Sequence, residues 1–179
     1  LIDDGLYRML LPRSLGGAEA TIEEFMQMLE AVAKADASTA WCLGQCCVCA
    51  TVSAYLDGDT AREIFAVPNG ILAWGSVGGE VQAVSGGYRA TGRWGFASGV
   101  RQASWVGAHV HIVEADGSRR RAPNGAPMVR TILFPVASAT LHDVWNVIGL
   151  KGTGTDSYSV DNLFIPERFA APRDEAGCS

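Results

Sequence analysis

Apolar positions change their period near residue 69. Before it, Ile22, Phe25, Met26, Leu29, Val32 and Ala33 recur at helical spacing and mark one face of a helix. Thr21 with Glu24 three residues on makes a capping box, so this helix is expected to begin just after Thr21. Asp36 or Ser38 can cap a second helix that reaches about Leu56. That helix is apolar nearly all round, which predicts a central place in a helical domain. Gln45 is its exception, because a buried amide needs backbone, water or a ligand as partner. Gly58 is expected to end it. Asp59 is then expected to cap a short third helix, Thr60 to Ala66, with Ile64 and Phe65 inward. Asp3 to Met9 reads as the end of an earlier helix, broken at Leu10-Leu11-Pro12.

Pro68-Asn69-Gly70 is a turn signal, and short β runs follow it. The expected strands are Ile71–Ser76, Val81–Val84, Tyr88–Trp94, Trp105–Val113, Val129–Phe134, Ala139–Val144 and Ser157–Ile165. The fold class is therefore α+β: an N-terminal helical domain over 1–69, then an antiparallel β-barrel domain over 70–172. The residues from Ala170 on carry no pattern, and 173–179 is expected to be an exit linker.

Composition narrows the function classes. Hydrophobic residues make up 48% and charged residues 18% of the 179, as in a well-packed globular protein. A net charge of −5 gives no case for nucleic acid, and Arg119-Arg120-Arg121 reads as a solvated hairpin tip. Ala40 to Leu56 is slightly short for a membrane span and contains Gln45, Thr51 and Ser53, so a buried core helix is expected. No signal peptide opens the sequence. Cys42, Cys46, Cys47 and Cys49 share that helix without zinc-module spacing, so reduced buried thiols in a cytoplasmic protein are expected and no metal site.

Familiar motifs fail their own tests. Gly149-Leu150-Lys151-Gly152-Thr153-Gly154-Thr155 lacks the Gly-Lys-Ser/Thr order of a phosphate loop and leads into a strand, so it reads as a glycine-rich turn. His109 and His111 alternate on one strand and share a face, expected to be a polar outer one. Ser76 lies in no nucleophile elbow. The chemically suggestive stretch runs from Gly86 to Gly99. Gly86-Gly87 is a hairpin turn, and the following strand ends in Gly95-Phe96-Ala97-Ser98-Gly99. A ring beside a hydroxyl on a glycine-flanked strand end can receive a planar heteroaromatic cofactor by stacking and hydrogen bonding. The alternative is an ordinary hairpin with Phe96 as a core residue.

Four segments in order resemble the acyl-CoA dehydrogenase superfamily, and most closely its flavin-dependent monooxygenases, the oxygenase components of two-component hydroxylases. They are Gly5 to Gly17, Ala35 to Trp41, Gly86 to Gly99, and Gly149 to Thr155 with Leu163 to Glu167. The resemblance implies a helical domain packed on a β barrel, with a C-terminal four-helix bundle expected beyond this chain. It places Phe96 against the isoalloxazine face, Ala97 in backbone contact and Ser98 near N5. Gly75 and Ser76 would lie over the pyrimidine. Ser76 and Gln45 are the candidate substrate contacts. It also implies reduced flavin, FMN or FAD, supplied by a separate reductase. The reaction would be O2-dependent hydroxylation or oxygenation of a small aromatic or heterocyclic compound by a dimer or tetramer. The family's catalytic base lies in the bundle, so no catalytic residue is assigned. Gly75-Ser76-Val77-Gly78-Gly79-Glu80 replaces the Thr-Glu-Pro and Gly-Ser-Asp of the dehydrogenases, which favours the monooxygenases. An FAD-dependent acyl-CoA dehydrogenase and a non-catalytic fragment are the alternatives.

Overall fold

A computed structural model describes residues 1–76 and 78–173. Three helices come first: α1 (Ile22–Ala35), α2 (Ala37–Ala50) and α3 (Gly58–Phe65). The expected capping box opens α1. Thr21 Oγ1 accepts from the Glu24 amide at 3.2 Å, and Glu24 Oε2 accepts from the Thr21 amide at 2.8 Å. Asp36 opens α2 by accepting from the Thr39 amide at 2.6 Å. Asp57, not Asp59, caps α3, through the amides of Asp59 at 3.1 Å and Thr60 at 2.9 Å. The reason is that α2 loosens into a 3-10 turn at Thr51–Tyr55, which leaves Asp57 extended just ahead of Gly58. Each such cap contributes about 1 kcal/mol. Asp3 to Met9 is not a helix end. It contains one 3-10 turn, Leu6–Arg8, entered through the left-handed Gly5.

Arg8 ties this helical half together. Its buried guanidinium donates to the carbonyls of Gly16 (3.1 Å), Val67 (2.9 Å), Phe65 (2.8 Å) and Leu15. Two of these end α3 and its following turn, where carbonyls lack helical partners. Ala37–Tyr55 is long and apolar enough to cross a membrane, but half of that window is buried inside the fold, as a core helix is. Cys42, Cys46, Cys47 and Cys49 are buried free thiols along it. Burial pushes the Cys47 thiol up to about 11.

The strands are β1 (Leu72–Trp74), β2 (Glu80–Val84), β3 (Gly87–Ala97), β4 (Trp105–Val113), β5 (Val129–Pro135), β6 (Thr140–His142), β7 (Asp156–Pro166) and β8 (Ala170–Pro172). They form one sheet in the order β6-β7-β3-β2-β4-β5-β8, with β1 also on β4. Most pairs are antiparallel, but β1 and β2 both run parallel to β4. β1 covers Trp105 to Gly107 and β2 covers His111 to Val113, so the two are one interrupted strand along β4. At the interruption the chain peels away toward the end of β3. β8 pairs with β5 where the sequence shows only small residues, with Ala170 opposite Ile132 and Ala171 opposite Thr131. Residues 174–179 of the expected linker lie outside the described residues.

The helices and the sheet share one apolar cluster that runs from Leu43 and Phe65 to Trp94, Ile132 and Tyr158. His109 belongs to this interior, at 4% exposure, and not to a polar outer face. β4 is covered on both sides, so alternation along it does not separate wet from dry. His109 Nδ1 is 2.9 Å from Thr131 Oγ1, Arg173 donates to its Nε2 at 2.8 Å, and Trp74 packs edge-on at 4.9 Å. Burial first, and the Arg173 charge second, push its pKa down to about 4.

Candidate functional site

The tail of β3 departs from regular pairing with β7 between Trp94 and Ala97. Phe96 sits in this irregularity with φ 59, a conformation that L side chains with bulk rarely adopt. Strict alternation puts Phe96 on the same face as the buried Trp94. The bulge turns it out, and the ring is 71% exposed. Phe96 is therefore not a core residue. Among the described residues Trp145 stands against it, edge to face with centroids 6.2 Å apart.

Gly75 and Ser76 arrive at the same place from the interrupted strand. The Ser76 amide donates to Gly95 O at 2.8 Å, and the Gly75 amide donates to Tyr158 Oη at 3.1 Å. A Cβ on Gly75 would lie 2.6 Å from Gly95 O, so the two segments meet only because residue 75 is glycine. Ser76 is exposed and Ala97 fully buried. Ser98 follows inward, at 8% exposure. Its hydroxyl accepts from Trp41 Nε1 at 2.9 Å and lies 2.9 Å from Thr155 Oγ1. Gly99, with φ 78, lets α2 close on this turn, since a Cβ there would be 2.6 Å from Cys46 Sγ.

The structure thus brings Gly75, Ser76, Phe96, Ala97 and Ser98 together. Gln45 stands apart from them by one side chain. It is half-buried on α2 and lines an apolar groove of about 480 Å³ between α1 and α2, with Phe25, Leu29, Trp41 and Leu150. Trp41 is the link, forming the groove wall and donating to Ser98. Part of the apolar face of α1 therefore borders the groove rather than the core, and Met26 remains 56% exposed.

Sequence reasoning missed the groups that hold this site. Asp156 is buried at the start of β7, opposite Ala97. Its Oδ1 accepts from the amides of Val144 (3.1 Å) and Trp145 (3.2 Å), and its Oδ2 accepts from Arg101 Nε at 2.6 Å. Burial raises its pKa, but the Arg101 hydrogen bond and the two amides outweigh that and leave it below the ordinary value. Trp145 in turn donates through Nε1 to Leu150 O at 3.0 Å. Thr153 and Thr155 flank the left-handed Gly154, and both hydroxyls face inward. The available signal was the Thr-Gly-Thr order itself, with a hydroxyl on each side of a turn glycine.

The arrangement has the features a flat heteroaromatic ring needs. It offers one exposed aromatic face, glycine backbone beside it at Gly75 and Gly95, and a hydroxyl at its edge with one hydrogen-bonding position left. The residues present fit an isoalloxazine.

No family model matches the chain. The indole-3-acetate monooxygenase of Pseudomonas putida is 30% identical over 171 residues, covering 94% of this chain and 42% of that protein. The flavin-dependent monooxygenase oxygenase subunit HsaA of Rhodococcus jostii (strain RHA1) is 28% identical over 169 residues, covering 93% and 42%. The structure of XiaF from Streptomyces sp., solved with FADH2 and glycerol, superposes with a TM-score of 0.85 at 23% identity, covering 96% and 42%. The chain has the acyl-CoA dehydrogenase-type fold of flavin-dependent monooxygenase oxygenase components. It spans about 42% of the length of these monooxygenases. The family resemblance and the fold class read from the sequence both stand.

Proposed function

We propose that this chain carries the flavin-facing part of an oxygenase component that uses reduced flavin and O2 to hydroxylate or oxygenate a small aromatic or heterocyclic compound. The exposed ring of Phe96, turned out by a bulge beside Ser98, carries the reading. A strained backbone kept under an exposed aromatic ring makes sense at a ligand surface and costs stability elsewhere. The monooxygenase names of the relatives agree with it.

When bound, reduced flavin activates O2 for transfer of one oxygen atom. The chain's own residues would bind and orient it. Phe96 would stack on the ring system, Gly75 and Ser76 would border its pyrimidine end, and Ala97 would offer main chain. Ser98 would hydrogen-bond at N5. Ser76 and Gln45 would meet the substrate, Gln45 from the groove wall. Trp145, held by Asp156, would keep the far edge of Phe96 dry. A separate flavin reductase supplies the reduced cofactor in this scheme, and the protein works as a dimer or tetramer in the cytoplasm. The turn at residues 68–70 is proposed as the boundary between a helical and a β domain.

The test uses the full-length protein with a flavin reductase, NADH, and indolic and phenolic compounds under labelled O2. One labelled oxygen atom in the product is expected. Anaerobic bleaching of bound oxidised flavin by acyl-CoA thioesters, without label incorporation, would instead select the dehydrogenase reading. In the same protein Phe96→Ala should weaken flavin binding by on the order of 1 kcal/mol or more. Unchanged affinity removes Phe96 from the site.

A further inference from the structure

Behind Ser98 runs a chain of hydroxyls whose direction the geometry decides. Ser98 Oγ is 2.9 Å from Thr155 Oγ1, Thr155 Oγ1 is 2.7 Å from Thr153 Oγ1, and Thr153 Oγ1 is 3.0 Å from Leu150 O. All three hydroxyl-bearing residues are buried. A hydroxyl has one proton to give and two lone pairs to receive with. Leu150 O has no proton, so the bond at its end takes the proton of Thr153. Thr153 then receives from Thr155. With its own proton spent on Thr153, Thr155 receives from Ser98. At the outer end Trp41 Nε1, which can only donate, gives to Ser98 at 2.9 Å. Reversing the order would leave the oxygens of Thr153 and Leu150 facing each other at 3.0 Å with no proton between them. Every bond in the row is satisfied in one direction alone, and mutual polarisation along such a row reinforces that direction.

The Ser98 proton is thus committed inward. What Ser98 retains toward a ligand is a lone pair. We propose that Thr155 and Thr153 are positioning residues that hold Ser98 as a hydrogen-bond acceptor, and that this polarity selects reduced flavin over oxidised flavin. Reduced flavin carries a hydrogen on N5 and donates there. Oxidised flavin has only a lone pair on N5, which would face the lone pair of Ser98. The proposal rests on the reading that an isoalloxazine lies at Phe96 and Ser98. No proton needs to move for the discrimination to operate, because the bias is built into the resting hydrogen-bond order.

The test is anaerobic titration of the full-length protein with FAD and with FADH2, and in parallel with both redox states of FMN. Wild type, Thr155→Val and Thr155→Ser are compared. Wild type is expected to bind the reduced form at least tenfold more tightly. Thr155→Val keeps a branched side chain but removes the acceptor for Ser98, whose proton becomes free to point outward. The reduced-to-oxidised preference should then fall about tenfold, chiefly through tighter binding of the oxidised form. Thr155→Ser should restore the preference to within twofold. A purely structural role would weaken both redox states together and leave their ratio alone.

The second readout needs no flavin. The indole N–H resonance of Trp41, assigned by its loss in Trp41→Phe, reports the outer end of the row. It should move upfield in Thr155→Val and return in Thr155→Ser. An unchanged redox preference in a Thr155→Val protein that still binds flavin overturns the proposal and leaves the flavin reading standing. Failure of the wild type to bind either redox state overturns the flavin reading and the selectivity with it. A Trp41 resonance unmoved by Thr155→Val overturns the directed hydroxyl row itself.

Discussion

Arg8 and Asp156 are charges of opposite sign in different halves of the molecule, both buried and both surrounded by main-chain groups. Arg8 donates to four carbonyls, of Leu15, Gly16, Phe65 and Val67. Asp156 accepts from the amides of Val144 and Trp145 and pairs with Arg101, which also reaches Asp143 at 2.9 Å. The groups around Arg8 end structural elements, and none belongs to the β3 tail. The groups around Asp156 carry Trp145 to the edge of Phe96. One charge closes the fold and the other aims a surface. A buried charge is therefore no sign of function by itself; what it gathers decides.

The largest break in this comparison should come from Arg8→Met. Removing the guanidinium leaves the inward carbonyls of Leu15, Gly16 and Phe65 without this donor, while Val67 O keeps the Gly70 amide at 2.9 Å, and the cost should be about 4 kcal/mol. The melting temperature of the full-length protein should fall by several degrees, and by roughly 10 °C where the transition involves only a unit of this chain's size. The fraction that remains folded should bind flavin as wild type does, within about twofold. Lost flavin affinity at full stability would reverse the assignment of Arg8 to the fold.

Acidification separates the charges next. The folded pKa of His109, about 4, lies below its ordinary value of 6.5, so the unfolded chain binds the extra proton first. Its neutral ring faces Arg173, Trp74 and Thr131, none of which can stabilise an imidazolium by opposite charge. The stability it contributes is full above pH 6.5 and is lost as pH falls toward 4. Between pH 6.5 and 5 the loss should be about 2 kcal/mol, from about 1.4 kcal/mol per pH unit. Asp156 has a lowered pKa, so its contribution holds above the ordinary carboxylate range and goes only as pH drops below it. Denaturant melts at pH 7 and 5 should show the His109 loss, and His109→Gln should flatten it. A loss that persists in His109→Gln assigns it to other groups.

Much of this fold was legible because local signals agreed with the tertiary outcome. The capping box at Thr21, the turn at Pro68-Asn69-Gly70 and the strand Trp105–Val113 needed no partner to be recognised. The misses share one cause. Asp57 displaced Asp59 as a cap because α2 unwound early, and β8 formed because β5 offered an edge. His109 lies inside because β4 is covered on both faces, and alternation along the strand carries no sign of that cover. At the site, Phe96 and Ser98 stood out by residue type within a glycine-flanked end. Trp145, Thr153, Thr155 and Asp156 did not, because they act through contacts more than fifty residues away in sequence or through a turn that only the fold creates.

Phe96→Gly sharpens the contrast between holding the fold and aiming the surface. Phe96 adopts φ 59 while its ring is 71% exposed, so it carries strain and buries little. Glycine adopts that conformation freely. The substitution should stabilise the protein by about 1 kcal/mol, less the loss of the Trp145 contact. Flavin affinity should fall several-fold in the same variant. Opposite signs of the two effects are the expected signature of strain kept for a ligand. A destabilised Phe96→Gly protein would mean that the ring supports the fold after all.

The smallest effect is expected from Asp156→Asn, and it tests the other half of the comparison. Asparagine keeps an oxygen for the amides of Val144 and Trp145 but loses the charge that attracts Arg101. Arg101 is half-exposed and remains solvated when unpaired, so the stability loss at pH 7 should stay near or below about 1 kcal/mol. The site should feel it more than the fold does. Trp145 hangs on the 144–145 amides at one end and on Leu150 O at the other, so loosening the first lets its ring leave Phe96. The fluorescence of Trp145, isolated by difference from Trp145→Phe, should shift toward the red, and flavin affinity should drop about two- to threefold. A loss of stability with flavin affinity unchanged would make Asp156 a second Arg8. A spectral shift with almost no loss of stability would mark it as the charge that aims the ring.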